Sequence, residues 1–179
     1  VALVWYLLVR SGEGLRSLGI DLTQPARDLI RGAGLAALVG GIGLVGYLVA
    51  YQSGANLAVV AQALPSEWWR WPVLIGAALK NSIVEEVIVV GFLMRRLTQL
   101  GWGPWTTIAT SALVRGSYHL YQGIGGLLGN IAMGGLFGWL FVRWGRVLPM
   151  IVAHALIDIV AFIGYAILEG RVDWLPALG

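Results

Sequence analysis

The sequence contains no cysteine. That excludes a disulfide framework and thiol chemistry. Charge is also scarce: 12% of the 179 residues are Asp, Glu, Lys or Arg, against about 25% in soluble domains. A soluble chain with 58% hydrophobic residues could not cover its surface with polar groups. The bilayer is therefore the expected solvent. No internal repeat is visible, and inverted repeats mark many transporters. No intact signal peptide is visible either, and the chain opens at Val1 inside an apolar run.

What is abundant suits lipid. The mean hydropathy is +0.79. The 26 glycines favour close helix packing in a bilayer, and Trp and Tyr fall near the ends of apolar runs, where they anchor spans. Trp68, Trp69 and Trp71 form one such anchor. The net charge of +3 reads as a topology signal, with membrane lipids and no nucleic acid as partners.

A span needs about 20 apolar residues. Val1 to Val9 reads as the tail of a truncated first span. Gly32 to Tyr51, Val73 to Met94, Pro104 to Gln122, Ile124 to Val142 and Val147 to Leu168 follow. The expected fold is all-α, a polytopic membrane protein of about six transmembrane helices forming one domain over 1–179. Arg10, Arg16, Arg27, Arg31, Arg95, Arg96, Arg143 and Arg146 fall on one side, against Arg70 and Arg171 on the other. By the positive-inside rule the loops after spans one, three and five are cytoplasmic. Segment 10–31 reads equally as an interfacial amphipathic helix or as a solvated loop. Gly125, Gly129, Gly134 and Gly138 form two small-xxx-small pairs for close packing. Asn130 is a candidate hydrogen-bond partner for a buried site.

Five charges lie inside these spans: Lys80, Glu85, Glu86, Arg115 and Asp158. Each costs about 2.5–3.5 kcal/mol at the bilayer centre. Such residues persist when they pair, face water or do chemistry. A single intramembrane His or Glu–Arg pair is usually structural; the combination here is not usual. His154 and Asp158 are four apart and share a helix face, as do Arg115 and His119. Glu85 and Glu86 are adjacent, and two buried carboxylates suit proton transfer. Spans three, four and six would form the site. Two His and a Glu can hold zinc with an open position for water, the other Glu taking the proton. Glu86, His119 and His154 are the candidate ligands. A metal-free glutamate can activate water as well. Lys80 reads as structural or snorkelling.

At these residues the sequence resembles the CPBP intramembrane proteases, which include CAAX prenyl endopeptidases and bacteriocin-processing and immunity proteins. Their motifs are EExxxR, FxxxH and Hxxx(D/N). Here the first reads Glu85-Glu86-Val87-Ile88-Val89-Val90, the second Arg115-Gly116-Ser117-Tyr118-His119, and the third His154-Ala155-Leu156-Ile157-Asp158. The resemblance covers about residues 72–168 and implies a catalytic core there. It implies a bacterial plasma-membrane endopeptidase acting on a peptide or membrane-protein substrate, with a divalent metal such as zinc or with none. It assigns water activation to Glu85, lining roles to Glu86, His119 and His154, and an oxyanion or orienting role to Asp158. Val90 replaces the motif arginine and Arg115 the motif phenylalanine, so Arg115 is expected to supply the displaced guanidinium from span four. Two other classes stay open: a proton-coupled transporter using the Glu/His/Asp chain, and a non-catalytic chaperone or immunity protein.

Depth sets one condition. At 1.5 Å per residue, Glu85 lies about 14 Å and His119 about 22 Å from the inner ends of their spans. The fourth helix must tilt or start deeper for the two to meet, as Gly101 to Pro104 would permit.

Overall fold

The computed structural model describes residues 1–54, 67–168 and 171. Among them all regular structure is helical, as expected. Helix α1 is Ala2–Arg10, a 3-10 turn covers Leu15–Leu18, and α2 is Pro25–Gln52. Helix α3, Arg70–Glu85, passes into a π-helical stretch, Glu86–Leu93, and then into α4, Met94–Gln99. The junction residues Glu86 and Met94 keep right-handed helical angles, so residues 70–99 form one continuous rod. Helix α5 is Pro104–Tyr118, a second 3-10 turn covers Leu120–Gln122, and α6 (Ile124–Trp144) and α7 (Leu148–Leu168) close the chain.

Local chemistry sets several boundaries. Pro25 and Pro104 open α2 and α5, where a fixed φ and a missing N–H carry no penalty. Gly145 ends α6 in the left-handed region, φ 63°, the usual glycine stop. The π stretch begins Glu86-Val87-Ile88-Val89-Val90-Gly91. β-Branched side chains crowd the preceding helical turn, and π segments occur most often at functional sites.

Among the described residues, α2, α6 and α7 are long and apolar enough to cross a membrane. This is an integral membrane protein. Of the other expected spans, α1 has 9 residues and α5 has 15. At 1.5 Å per residue α5 covers about 22 Å, short of the roughly 30 Å hydrocarbon layer.

Helix α7 packs between α2 and α3, and α5 lies along α6. Leu8, Leu18, Val90, Met94, Phe137 and Met150 belong to the central apolar cluster. Glycine sets the closest approach. A methyl at Gly134 would sit 3.0 Å from Ala112 Cα and 3.1 Å from Arg115 Cδ, so α6 reaches α5 directly beneath that arginine. Gly138 also meets its neighbours closely, whereas Gly129 faces open space. The second glycine pair therefore makes the expected close contact, and Gly129 does not.

Segment 10–31 comprises the end of α1, the 3-10 turn and the first turns of α2. Its 3-10 turn buries Leu18 completely, and Leu18 accepts a hydrogen bond from Val147 N at 2.9 Å. Its acids hold arginines from distant helices. Glu13 accepts from Arg95 at 2.8 and 3.1 Å and from Gln99 at 2.6 Å. Asp28 and Asp21 clasp Arg146. Hydrogen bonds from the Thr23 side chain and backbone, helped by Arg146, lower the Asp21 carboxyl to about 2. The Arg95 hydrogen bond likewise lowers Glu13, and the Asp28 hydrogen bond raises Arg146.

Candidate active site

The site lies where α3 becomes the π stretch. Glu85 ends α3 and Glu86 begins the next turn, so adjacent side chains leave the helix in different directions. Glu86 points inward and is fully buried, while the Glu85 side chain keeps 21% of its surface. The inner carboxylate is held from two helices. Arg115 Nη2 of α5 donates to Glu86 Oε1, and His154 Nδ1 of α7 meets the same oxygen at 2.8 Å. With Glu86 ionised, that imidazole nitrogen carries the proton and donates. On its other side His154 Nε2 stands 3.6 Å from Asp158 Oδ2, close but too long for a hydrogen bond. The four-residue spacing of His154 and Asp158 thus works as the sequence requires.

Arg115 is fully buried, and its guanidinium lies 5.6 Å from the centroid of Phe137. Its Nη2 is also 4.0 Å from Glu85 Oε2. Arg115 Nε and Nη1 and Glu86 Oε2 have no hydrogen-bond partner among the described residues. The widened turn brings a further polar contact: Ser111 Oγ of α5 donates to Val89 O at 2.9 Å.

Helix α5 stops at site level. Tyr118 is its last residue, and its hydroxyl donates to Glu85 Oε2 at 2.9 Å. His119 is the cap, with Nδ1 3.0 Å from Arg115 O. Its ring lies 4.6 Å from that of Tyr118 and 6.3 Å from that of Tyr121. This resolves the depth condition: α5 ends beside Glu85 instead of passing it. His119 stays against Arg115 through that residue's backbone carbonyl.

Glu85, Glu86, Arg115, His154 and Asp158 are therefore drawn together, and His119 reaches them through Tyr118. Lys80 is exposed and stands apart. Asn130 donates to Gly126 O of its own helix at 2.9 Å and not to the site. By sequence Tyr118 counted only among the Tyr residues near the ends of apolar runs. Its adjacency to His119 was the available signal.

The residues do not fit a three-ligand metal centre. Among the described residues no three His, Cys, Asp or Glu side chains are grouped to hold an ion. Glu86 Oε1 is engaged by both Arg115 and His154. The Arg115 guanidinium sets a positive charge against Glu86. A cleft of about 300 Å³ between α4 and the end of α6, lined by Met94, Arg95, Thr98 and Phe141 among others, contains none of the motif residues.

Comparison with known proteins bears on these residues directly. A family model described as type II CAAX prenyl endopeptidase, Rce1-like, matches residues 67–160, a stretch that includes every residue of the cluster. Neither the curated proteins nor the solved structures gave a match.

Proposed function

The chain belongs to the Rce1-like family of type II CAAX prenyl endopeptidases, and from that premise we propose that it is an intramembrane endopeptidase in which Glu85 activates the hydrolytic water. The observation that carries this reading is the division of labour within the glutamate pair. Glu86 is buried and bound to Arg115 and His154, while Glu85 stays partly exposed, with no partner on its second oxygen among the described residues. A general base must be reachable by the water it deprotonates, and Glu85 is the member that is.

The chemistry follows from the neighbours. Glu85 takes a proton from water as the oxygen attacks the peptide carbonyl. Charge develops on the carbonyl oxygen, and donors aimed at that position stabilise it. His154, with Nδ1–H held by Glu86, would receive this oxygen on Nε2–H in its imidazolium form, whose charge Glu86 and Asp158 balance. Collapse of the tetrahedral intermediate breaks the C–N bond, and protonated Glu85 returns its proton to the leaving amine. One water is consumed, giving a new carboxylate and a new amine. Arg115 balances the charge of the pair. In this reading it replaces the guanidinium that Val90 cannot supply, and it serves instead of a metal. Tyr118 keeps Glu85 Oε2 occupied, so the other oxygen faces the water.

The family name directs the first substrate to try, a farnesylated peptide with a C-terminal CAAX sequence. The loops after α1, α4 and α6 are assigned to the cytoplasm on the arginine asymmetry. The test does not depend on guessing the substrate. Membrane peptides from cells producing the wild type and Glu85→Gln are compared by mass spectrometry. Fragments present only with the wild type are expected. Identical fragment sets would overturn the reading and favour a non-catalytic role.

A further inference from the structure

The end of the bundle that carries Arg146 holds more positive charge than its acids neutralise. Glu13 is taken by Arg95 and Arg96, and Asp21 and Asp28 by Arg146. Arg10, Arg16, Arg27, Arg31 and Arg143 have no carboxylate partner among the described residues. Two of them stand out by position. Arg27 and Arg31 are four apart on α2, so they share a face. The Arg31 guanidinium lies 4.5 Å from the ring centroid of Trp144, the last residue of α6, and so bridges two helices at one height.

That height is fixed by length. From Gly32 to Gln52 helix α2 is uncharged, about 31 Å at 1.5 Å per residue, which matches the hydrocarbon layer. Arg27 and Arg31 therefore stand just outside it, at the level of lipid headgroups. Helix α6 has 21 residues and delivers Trp144 to the same level. Below the arginines, on the same side of α2, Leu38, Ile42, Val45 and Val49 are each more than half exposed. A guanidinium pair thus sits on top of an open apolar stripe.

We propose that Arg27, Arg31 and Trp144 form a binding site for an anionic phospholipid, with its phosphate on the two guanidiniums and an acyl chain along the α2 stripe. Guanidinium forks suit phosphate oxygens, and Trp is at home at the interface. The nearest acid, Asp28, is buried and committed to Arg146. Among the described residues no free carboxylate is left beside the two arginines to hold the ammonium of a zwitterionic headgroup, so the preference is for net negative lipid.

The full chain in detergent is titrated with dioleoylphosphatidylglycerol and, separately, with dioleoylphosphatidylcholine, and bound lipid is counted by native mass spectrometry. The wild type binds the anionic lipid more tightly. Each juxtamembrane arginine contributes about fivefold, so Arg27→Gln lowers the affinity about fivefold and Arg27→Gln/Arg31→Gln about 25-fold. Arg10→Gln/Arg16→Gln, which removes the same charge elsewhere, leaves it unchanged. Inorganic phosphate at the lipid concentration does not displace the lipid. Equal binding of the two lipids would overturn the proposal. So would equal losses in the two double variants, or displacement by phosphate alone.

Discussion

Arg146 and Arg115 are both buried against carboxylates, yet they are paired in opposite ways. Arg146 is saturated. Its Nε and Nη2 grip Asp28 at 2.7–3.1 Å, Nη1 reaches Asp21 Oδ1 and Thr23 Oγ1, and Nη2 also reaches Asp21 O. Each N–H has an acceptor. Among the described residues Arg115 makes one side-chain hydrogen bond, to Glu86, and its Nε and Nη1 remain unpaired. A saturated clasp fastens segments together. A buried ionic group with idle donors is costly, and such groups are expected where chemistry is done. The first arginine ties the 10–31 segment to the α6–α7 corner. The second stands between two glutamates and a histidine.

Substitutions can break this contrast. The largest effect is expected at Arg115. Arg115→Gln strands Glu86 and should cost about 3–5 kcal/mol, read by denaturation in mild detergent, with activity lost as well. Removing both charges, in Glu86→Gln/Arg115→Gln, should recover most of the stability but none of the activity. If the double variant stays as unstable as the single one, the pair is not what the stability depends on. Next comes Glu85→Gln, which should slow hydrolysis by about 10²–10⁴-fold while leaving the melting temperature near that of the wild type. Arg146→Gln should lower stability by about 1.5–3 kcal/mol and leave turnover per folded molecule intact.

Smaller effects sharpen the picture. Tyr118→Phe keeps the ring against His119 and removes one hydrogen bond, worth about 1 kcal/mol. A several-fold fall in kcat with little change in KM is expected, and a pure KM effect would show that Tyr118 contacts substrate instead. The smallest effect concerns pH. Asp21 is depressed from 3.8 to about 2 in the folded protein, so its contribution is complete above pH 3.8 and is lost as pH falls toward 2. Acid unfolding of Asp21→Asn should therefore be flatter than that of the wild type across this window.

The same contrast explains what the sequence could reveal. His154 and Asp158, four apart on one helix, were legible because a helix maps spacing onto a face. The charges in apolar runs were legible because lipid makes them expensive. Arg146 read only as a topology charge, since Asp28 and Asp21 lie 118 and 125 residues away in the chain and no local pattern links them. The Arg115–His119 spacing brings the imidazole onto the Arg115 carbonyl, while the end of α5 at Tyr118 was not legible. The π stretch was hidden in a run whose apolar residues suit an α-helix equally well. Tyr118 looked like a belt residue until the helix end placed its hydroxyl on Glu85.

The most direct test of the account is turnover per folded molecule in lipid vesicles, for Glu85→Gln and Arg146→Gln side by side with the wild type, on a membrane peptide that the wild type cleaves. The account predicts that Glu85→Gln is at least about 100-fold slower and that Arg146→Gln matches the wild type once the folded fraction is counted. Equal turnover in Glu85→Gln, or loss confined to Arg146→Gln, would contradict it.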